Sequence, residues 1–236
     1  MLSNSLGFPL RGDGAAKRVL VGTMLVVLGF VPLVNLVAGF VLNGYQMRVM
    51  RAGARGDAVP PSFDDFGDLL SEGGRFLVVS LVYAIPSVLV VAAGFVAAAF
   101  VMPLGMGAGV DPGAAAGSAG LVAVALVLGS MALAVVPLYF LPAALVGAAT
   151  RESIRAGFDF SSVFAVAFST EYLVGMIVVT LLAVVVGTVV QLLVLVLVGL
   201  PLLFCLQVAV AHFLGTVVER AARRNDAGPD ATPAAA

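Results

Sequence analysis

The side chains that could do chemistry are few in this chain and lie apart from one another. His212 is the single histidine and Cys205 the single cysteine, and both fall in one apolar stretch. A protein metal site needs three or four ligands, and the sequence offers no others nearby. We therefore interpret Cys205 as a small packed residue and His212 as a side chain that reaches towards the cytoplasmic interface. No metal site, cofactor or catalytic residue is predicted.

Three carboxylates, Asp64, Asp65 and Asp68, form the densest acidic group in the sequence. Their spacing would allow them to hold a hard cation such as Mg²⁺ or Ca²⁺. A solvated helix face with Asp64 as its N-cap explains the same residues without a metal. We favour the second interpretation.

Three arginines, Arg48, Arg51 and Arg55, lie three and four residues apart. On a helix this spacing places them on one face. Such a face should meet anionic lipid headgroups, each arginine contributing about 1 kcal/mol. Contact with a protein partner in the membrane is the alternative.

Four uncharged amide side chains fall inside apolar stretches: Asn35, Asn43, Gln191 and Gln207. Amides in such positions can form hydrogen bonds between helices that contribute about 0.6–2 kcal/mol. We favour this structural role over a substrate path lined by the same residues.

The composition shows which elements must position these residues. The chain is 61% hydrophobic and 11% charged, with a mean hydropathy of +1.15 and a net charge of −1. Soluble domains are roughly 45–50% apolar and about 25% charged. These values exclude a soluble enzyme, a disordered protein and a nucleic-acid-binding protein. Lipid must surround most of the chain.

The 12 basic and 13 acidic residues, 25 in all, avoid four long blocks. The blocks comprise residues 19–47, 76–110, 112–150 and 172–218. A transmembrane helix needs about 20 apolar residues, so each block can cross the bilayer. In hydrocarbon the backbone must satisfy its own hydrogen bonds, and uninterrupted apolar runs argue against a β-barrel, so the spans are helical.

The last block is long enough for two spans that turn near Gly199-Leu200-Pro201. The sequence thus predicts an all-α, polytopic integral membrane protein with about five spans. They lie in a single membrane domain, residues 19–219, between a polar N-terminal segment, 1–18, and a disordered cytoplasmic tail, 220–236. The predicted spans cover residues 19–47, 76–101, 120–149, 172–197 and 200–219.

Arginine and lysine collect on the cytoplasmic side of membranes, and this rule orients the spans. It makes the Arg-rich connections and the C-terminus cytoplasmic and the connection Met102–Ala119 external. Five spans would then place the N-terminus outside, although it carries Arg11, Lys17 and Arg18. A broken or re-entrant hairpin that pivots at Pro32 would remove this conflict. We favour one long tilted helix over residues 19–47.

Two connections combine aromatic and acidic residues: 61–70 reads PSFDDFGDLL and 156–165 reads AGFDFSSVFA. We predict short amphipathic helices in the membrane interface at about 61–74 and 158–169, the second capped by Ser161. Each follows an Arg-bearing helix end, which indicates either a weak tandem repeat or a coincidence of two apolar stretches. The residues expected to contact headgroups or a partner here are Phe63, Asp64, Asp65, Phe158 and Asp159.

These motifs carry a resemblance to a known family. GFPLRGD at 7–13, GYQMRVMRAGARGDAVPPSFDDFGDLL at 44–70, LVYAIP at 81–86 and AGFDFSSVFAVAFSTEYLVG at 156–175 are similar to the archaeal domain-of-unknown-function family 4013. The resemblance extends from about residue 7 to 218. It implies a polytopic membrane protein of archaeal, largely haloarchaeal, origin, and it implies no activity.

Two functions from different classes are compatible with these features. The favoured one is a non-catalytic membrane scaffold or accessory component, surrounded by membrane lipid and assembled with itself or another membrane protein. The alternative is a small transporter or permease component for an uncharged or apolar solute. An enzyme is not expected.

The predicted orientation can be tested with fusions. Because the connection around Asp111 carries no basic residue, a topology reporter fused after Val110 should show an external location. A reporter fused after Arg155 should show a cytoplasmic one. Reporter activity in intact cells is the measurement, and the reverse pattern would overturn the orientation.

Overall fold

A computed structural model describes residues 2–106, 112–194 and 197–227, and these residues form helices and connections without a β-strand. Short 3₁₀ turns occupy Phe8–Leu10 and Ile154–Phe158. The helices are α1 (Leu2–Gly7), α2 (Ala15–Leu28), α3 (Pro32–Arg55), α4 (Phe66–Met106), α5 (Pro112–Thr150), α6 (Phe160–Ala167), α7 (Thr170–Val194) and α8 (Gly199–Ala227).

Four of the described helices are long and apolar enough to cross a membrane. Their apolar parts are Phe66–Val101, Gly117–Thr150, Thr170–Val194 and Gly199–Asp226. The predicted class, an all-α polytopic membrane protein, is therefore confirmed. Residues 107–111, in the connection expected to be external, lie outside the described part of the chain.

The expectation of one long helix over residues 19–47 is wrong, because the helix is broken. α2 ends at Leu28 and α3 begins at Pro32, with Val31 in an extended conformation. Proline lacks an amide hydrogen and disfavours helical geometry in the residue before it, so it starts a helix more readily than it continues one. The broken hairpin at Pro32, the less favoured alternative, is what the structure shows.

The break brings the N-terminal segment back against α8. Phe8 is fully buried and stacks on the His212 ring, with 3.8 Å between ring centroids. The Ser5 hydroxyl and His212 Nδ1 share a hydrogen bond of 3.0 Å. His212 is therefore buried within the protein and does not reach an interface. The N-terminal segment therefore packs against the middle of α8, and the side of the membrane on which it lies stays a prediction.

Helices α3 and α8 cross very closely and run parallel. Tyr45 lies near Phe204, and Gly53 lies against the backbone of His212, eight residues further along each helix. Gly215 in turn faces the backbone of Met50, and a Cβ atom at either glycine would overlap the opposite carbonyl oxygen. The absence of two side chains therefore sets the separation of these helices.

The chain divides into two compact units. The first contains the residues up to Val79 and those from Pro142 onward, and α8 contacts α1, α2, α3, α6 and α7 within it. The second spans Ser80–Leu141, where parts of α4 and α5 pack antiparallel. There the Ser87 hydroxyl donates to the Ala134 carbonyl at 2.7 Å, and Gly94 faces Ser130.

The two predicted interfacial segments differ in the structure. Residues 61–74 do not form a separate helix, because α4 begins at Phe66 and continues without interruption to Met106. Nothing in the sequence after Leu70 stops a helix, so the amphipathic turns simply extend into the span. The second segment does contain a short helix of its own, α6, which ends one turn before α7 begins.

The last block turns slightly earlier than predicted, since α7 ends at Val194 and α8 begins at Gly199. Pro201 lies in the first turn of α8, where its missing amide hydrogen costs no hydrogen bond. α8 continues to Ala227, so residues 220–227 are helical and not part of a disordered tail. Residues 228–236 lie outside the described part of the chain.

The close crossing of α3 and α8 yields a stability prediction. Gly215→Ala should lower the free energy of unfolding by about 1–3 kcal/mol, because the new methyl group forces the helices apart. Gly187→Ala on α7 is the matched control, since no atom lies within 4 Å of its Cβ position. It should leave stability unchanged or raise it by up to about 1 kcal/mol. Thermal unfolding in detergent measures both, and equal effects would contradict the packing.

Candidate functional site

The most connected polar group in the described residues is an ion-pair cluster between α3 and α4. Arg48 Nε donates to one carboxylate oxygen of Glu72 and an Arg51 Nη to the other, both at 3.1 Å. All three side chains are largely buried: Arg48 is 16% exposed, Arg51 12% and Glu72 10%. We call these three residues and Glu152, which also pairs with Arg51, the arginine–glutamate cluster.

The cluster also holds two connections in place. Arg48 donates to the Asp64 carbonyl at 3.0 Å, which fixes the segment before α4. Arg51 Nε donates to the Ala149 carbonyl at 2.7 Å, and its guanidinium lies 3.4 Å from Glu152. Carbonyls at the end of a helix lack intrahelical partners, and a cation satisfies them well. The cluster therefore ties α3, α4 and the end of α5 together.

The three arginines expected to meet lipid headgroups have different surroundings. The guanidinium groups of Arg48 and Arg51 bind Glu72 and backbone carbonyls of this chain, whereas the sequence predicted that they would contact lipid headgroups. Arg55 is exposed and lies 3.9 Å from Glu152, which is itself 57% exposed. Contact with headgroups stays a prediction for Arg55.

An aromatic stack lies beside the cluster. The rings of Tyr45 and Phe63 are nearly parallel at 4.0 Å, and Phe204 of α8 lies about 6 Å from each. The Tyr45 hydroxyl donates to the Pro61 carbonyl at 3.2 Å. Phe63 is therefore part of the protein core, although the sequence predicted that it would lie in the membrane interface.

The acidic residues Asp64, Asp65 and Asp68 are exposed. Asp65 adopts a left-handed backbone conformation, with φ of 62°, immediately before α4 begins. Within the described residues, no three His, Cys, Asp or Glu side chains are grouped so that they could hold a metal ion. Only Asp68 lies within α4, because the helix begins at Phe66, and the predicted N-cap role of Asp64 stays a prediction.

Asp159 is the N-cap of α6, the position for which Ser161 was expected. Its carboxylate accepts from the Ser162 hydroxyl at 2.6 Å and from the Ser162 amide at 3.4 Å, and Arg151 lies 3.3 Å away. The Ser162 hydrogen bonds, followed by Arg151, hold the pKa of Asp159 below its ordinary value. Asp159 thus stabilises the start of α6 as a carboxylate.

Helix α6 has an apolar face on each side. Val163 and Ala167 are buried against the rest of the unit, whereas three phenylalanines one turn apart are exposed. Phe158, which precedes the helix, is half-buried. The predicted single face is therefore split, and the residues that point outward are Phe160, Phe164 and Phe168.

The four amide side chains in the apolar stretches do not form the predicted hydrogen bonds between helices within the described part of the chain. Asn35 and Gln191 are exposed, and Asn43 and Gln207 are half-buried. None of the four side chains forms a hydrogen bond to the residues that the structure describes. Asn35 and Asn43 instead line a shallow groove of about 280 Å³ beside α3 and α4.

A polar cavity of about 390 Å³ lies between the ends of α5, α6 and α8. Its charged lining residues carry both signs and therefore give no preference for an anion or a cation. Three of them are already engaged in ion pairs, Arg151 with Asp159 and Arg223 with Glu219. The charged lining residues are Arg151, Glu219, Arg223 and Asp226.

Several residues that complete these contacts could not be identified from the sequence. Glu72 and Glu152 pair with the arginines, and Ser5 and Phe8, in the N-terminal polar segment, pack against His212. The position of Glu72 next to the apolar block that begins at Phe76 could have indicated an ion pair, because a carboxylate beside apolar residues needs a partner.

Removing the shared carboxylate should destabilise the protein. Glu72→Gln leaves the largely buried Arg48 without its counter-charge and Arg51 with only the exposed Glu152, and it should cost about 3 kcal/mol. Glu219→Gln, which removes an exposed pair with Arg223 on the same helix, should cost no more than about 0.5 kcal/mol. Unfolding in detergent, followed by circular dichroism, compares the two. Similar losses would show that the cluster is not a structural centre.

Comparison with known proteins gives two matches. The family model described as a protein of unknown function, DUF4013, matches residues 27–199. The uncharacterized protein MJ1189 of the archaeon Methanocaldococcus jannaschii is 33% identical over 76 residues, which cover 30% of this chain and 27% of the relative. This chain thus matches only about a quarter of that relative's length. No solved structure matches the chain significantly.

The matched region includes α3, the arginine–glutamate cluster, α6 and all of α7. It begins before the helix break at Pro32 and ends where α8 begins. Its extent is well over half of the sequence and contains the motifs at 44–70 and 156–175. The chain therefore belongs to the DUF4013 family of proteins of unknown function.

Proposed function

We propose that the protein is a non-catalytic scaffold or accessory component of the cell membrane. The arginine–glutamate cluster carries this proposal. Each oxygen of Glu72 accepts from an arginine, and further donors of those arginines reach the carbonyls of Asp64 and Ala149 and the carboxylate of Glu152. Because these side chains use their charges on one another and on the backbone of neighbouring segments, the cluster serves to hold helices together.

The outward surface of α7 supports an assembly role. Only 11% of the most apolar window of α7 is buried, compared with 56% for α8. The exposed side chains of α7 are large and apolar, and lipid or a helix of another subunit must cover them. A second copy of the chain or another membrane protein is the proposed partner. Exposed residues on this surface include Ile177, Leu181, Val184 and Val185.

The orientation that we propose follows from the basic residues. Basic residues of the first unit occur in three places. They are the N-terminal segment, the exposed Arg55 and the end of α8. Positively charged segments favour the cytoplasmic side. We therefore assign both the N-terminal segment and the C-terminal end of α8 to the cytoplasm.

Thiol labelling distinguishes a packed scaffold from a transporter. In membranes open on both sides, Cys205 should react slowly with a membrane-impermeant maleimide, because α8 is the most buried span. Asn35→Cys and Gln191→Cys, each in a Cys205→Ala background, should also react slowly, because their exposed positions face lipid and not water.

The matched control is Asn225→Cys, at an exposed position near the end of α8, which should react rapidly. Labelling of Cys205, Asn35→Cys and Gln191→Cys at the rate of that control would indicate a water-filled path. That outcome would reject the scaffold and favour the transporter component.

A further inference from the structure

An apolar groove runs along the contact between α7 and α8. Its volume is about 330 Å³, and its walls are almost entirely apolar. The α7 side extends from Thr170 to Val178, which corresponds to a length of about 12 Å at 1.5 Å per residue. The apolar lining residues are Val174, Gly175, Val178, Phe213 and Val217.

One end of this groove is polar and charged. Arg220, Thr170 and Glu171 line it. Glu171 is already paired with Arg224, so two arginines face one carboxylate. Arg220 is exposed and forms no hydrogen bond or ion pair with the described residues. The end with these charges is also where the apolar span of α7 begins.

A narrow apolar channel with a cation at its polar end matches the shape and charge of one lipid molecule. We propose that the α7–α8 groove binds an anionic phospholipid, with its phosphate at Arg220 and one hydrocarbon chain along Val174 and Val178. The hydroxyl of Thr170 is placed to donate to the same headgroup. Arginine suits this role because its planar group binds phosphate through two hydrogen bonds.

The charge argues for a lipid over a helix of a second copy. A neighbouring helix that filled the groove would bury Arg220 next to apolar residues, and an unpaired buried cation is costly. An anionic headgroup neutralises Arg220, and the hydrocarbon chain of the lipid covers the apolar walls of the groove. The ligand is thus defined by its phosphate charge and its hydrocarbon chain.

Native mass spectrometry of the full chain in detergent tests this proposal, with dioleoyl-phosphatidylglycerol and dioleoyl-phosphatidylcholine as probes. The first phosphatidylglycerol should bind more tightly than phosphatidylcholine. Arg220→Gln should raise the Kd for phosphatidylglycerol about fivefold, the factor that corresponds to about 1 kcal/mol, and should leave phosphatidylcholine unchanged. Val174→Trp, which fills the groove from an exposed position, should weaken both lipids.

Each variant has a matched control on its own helix. Arg223→Gln removes an exposed arginine outside the groove, and Val185→Trp adds the same ring to an exposed position further along α7. Both should bind lipid as the unchanged protein does. Val178→Phe is a second groove-filling variant in case Val174→Trp does not fold, as judged by circular dichroism.

Three results would overturn the proposal. Equal loss of phosphatidylglycerol in Arg220→Gln and Arg223→Gln would mean a diffuse attraction to a basic surface. Unchanged lipid binding in a folded groove-filling variant would mean that the groove is not the site. Loss of a dimer in that variant, with lipid binding intact, would assign the groove to a second copy of the chain.

Discussion

The first unit depends on the neutralisation of charge beside apolar helices. Two arginines and one glutamate lie mostly out of solvent between α3 and α4, where an unpaired charge would cost several kcal/mol. Their geometry removes that cost, because each oxygen of Glu72 accepts from a different guanidinium. The same arginines satisfy carbonyls at neighbouring helix and loop ends. These polar contacts thus hold α3, the start of α4 and the end of α5 together.

α8 is the second organising element, and its role follows from small residues as much as from large ones. Gly215 lets it approach α3 until the backbones touch, while Phe204 fills the space towards Tyr45 and Phe63. Close approach maximises dispersion contacts, which drive helix association where lipid replaces water. This explains why α8 is more than half buried in its apolar window while α7 is mostly exposed.

The sequence predicted the parts of this structure that depend on local composition. Stretches without charge indicated spanning helices, because ionised groups are expensive in hydrocarbon. The pairing of Glu72 with arginines 21 and 24 residues earlier could not be predicted, because it requires knowing that α3 packs against α4. Likewise, the aromatic–acidic pattern after Pro61 is the same for a separate interfacial helix and for the first turns of a longer one. The structure decides between them, because α4 runs without interruption from Phe66 to Met106.

The hydrogen bond between Ser5 and His212 has a consequence for how the chain enters the membrane. It joins α1 to the middle of α8, so the start of the chain packs beside this helix. In the orientation that we propose, the basic residues near the start of the chain and those at the end of α8 lie on the same side of the bilayer. The break at Pro32 makes this arrangement possible, because the hairpin can enter the bilayer from one side and return. The residues concerned at the start of the chain are Arg11, Lys17 and Arg18.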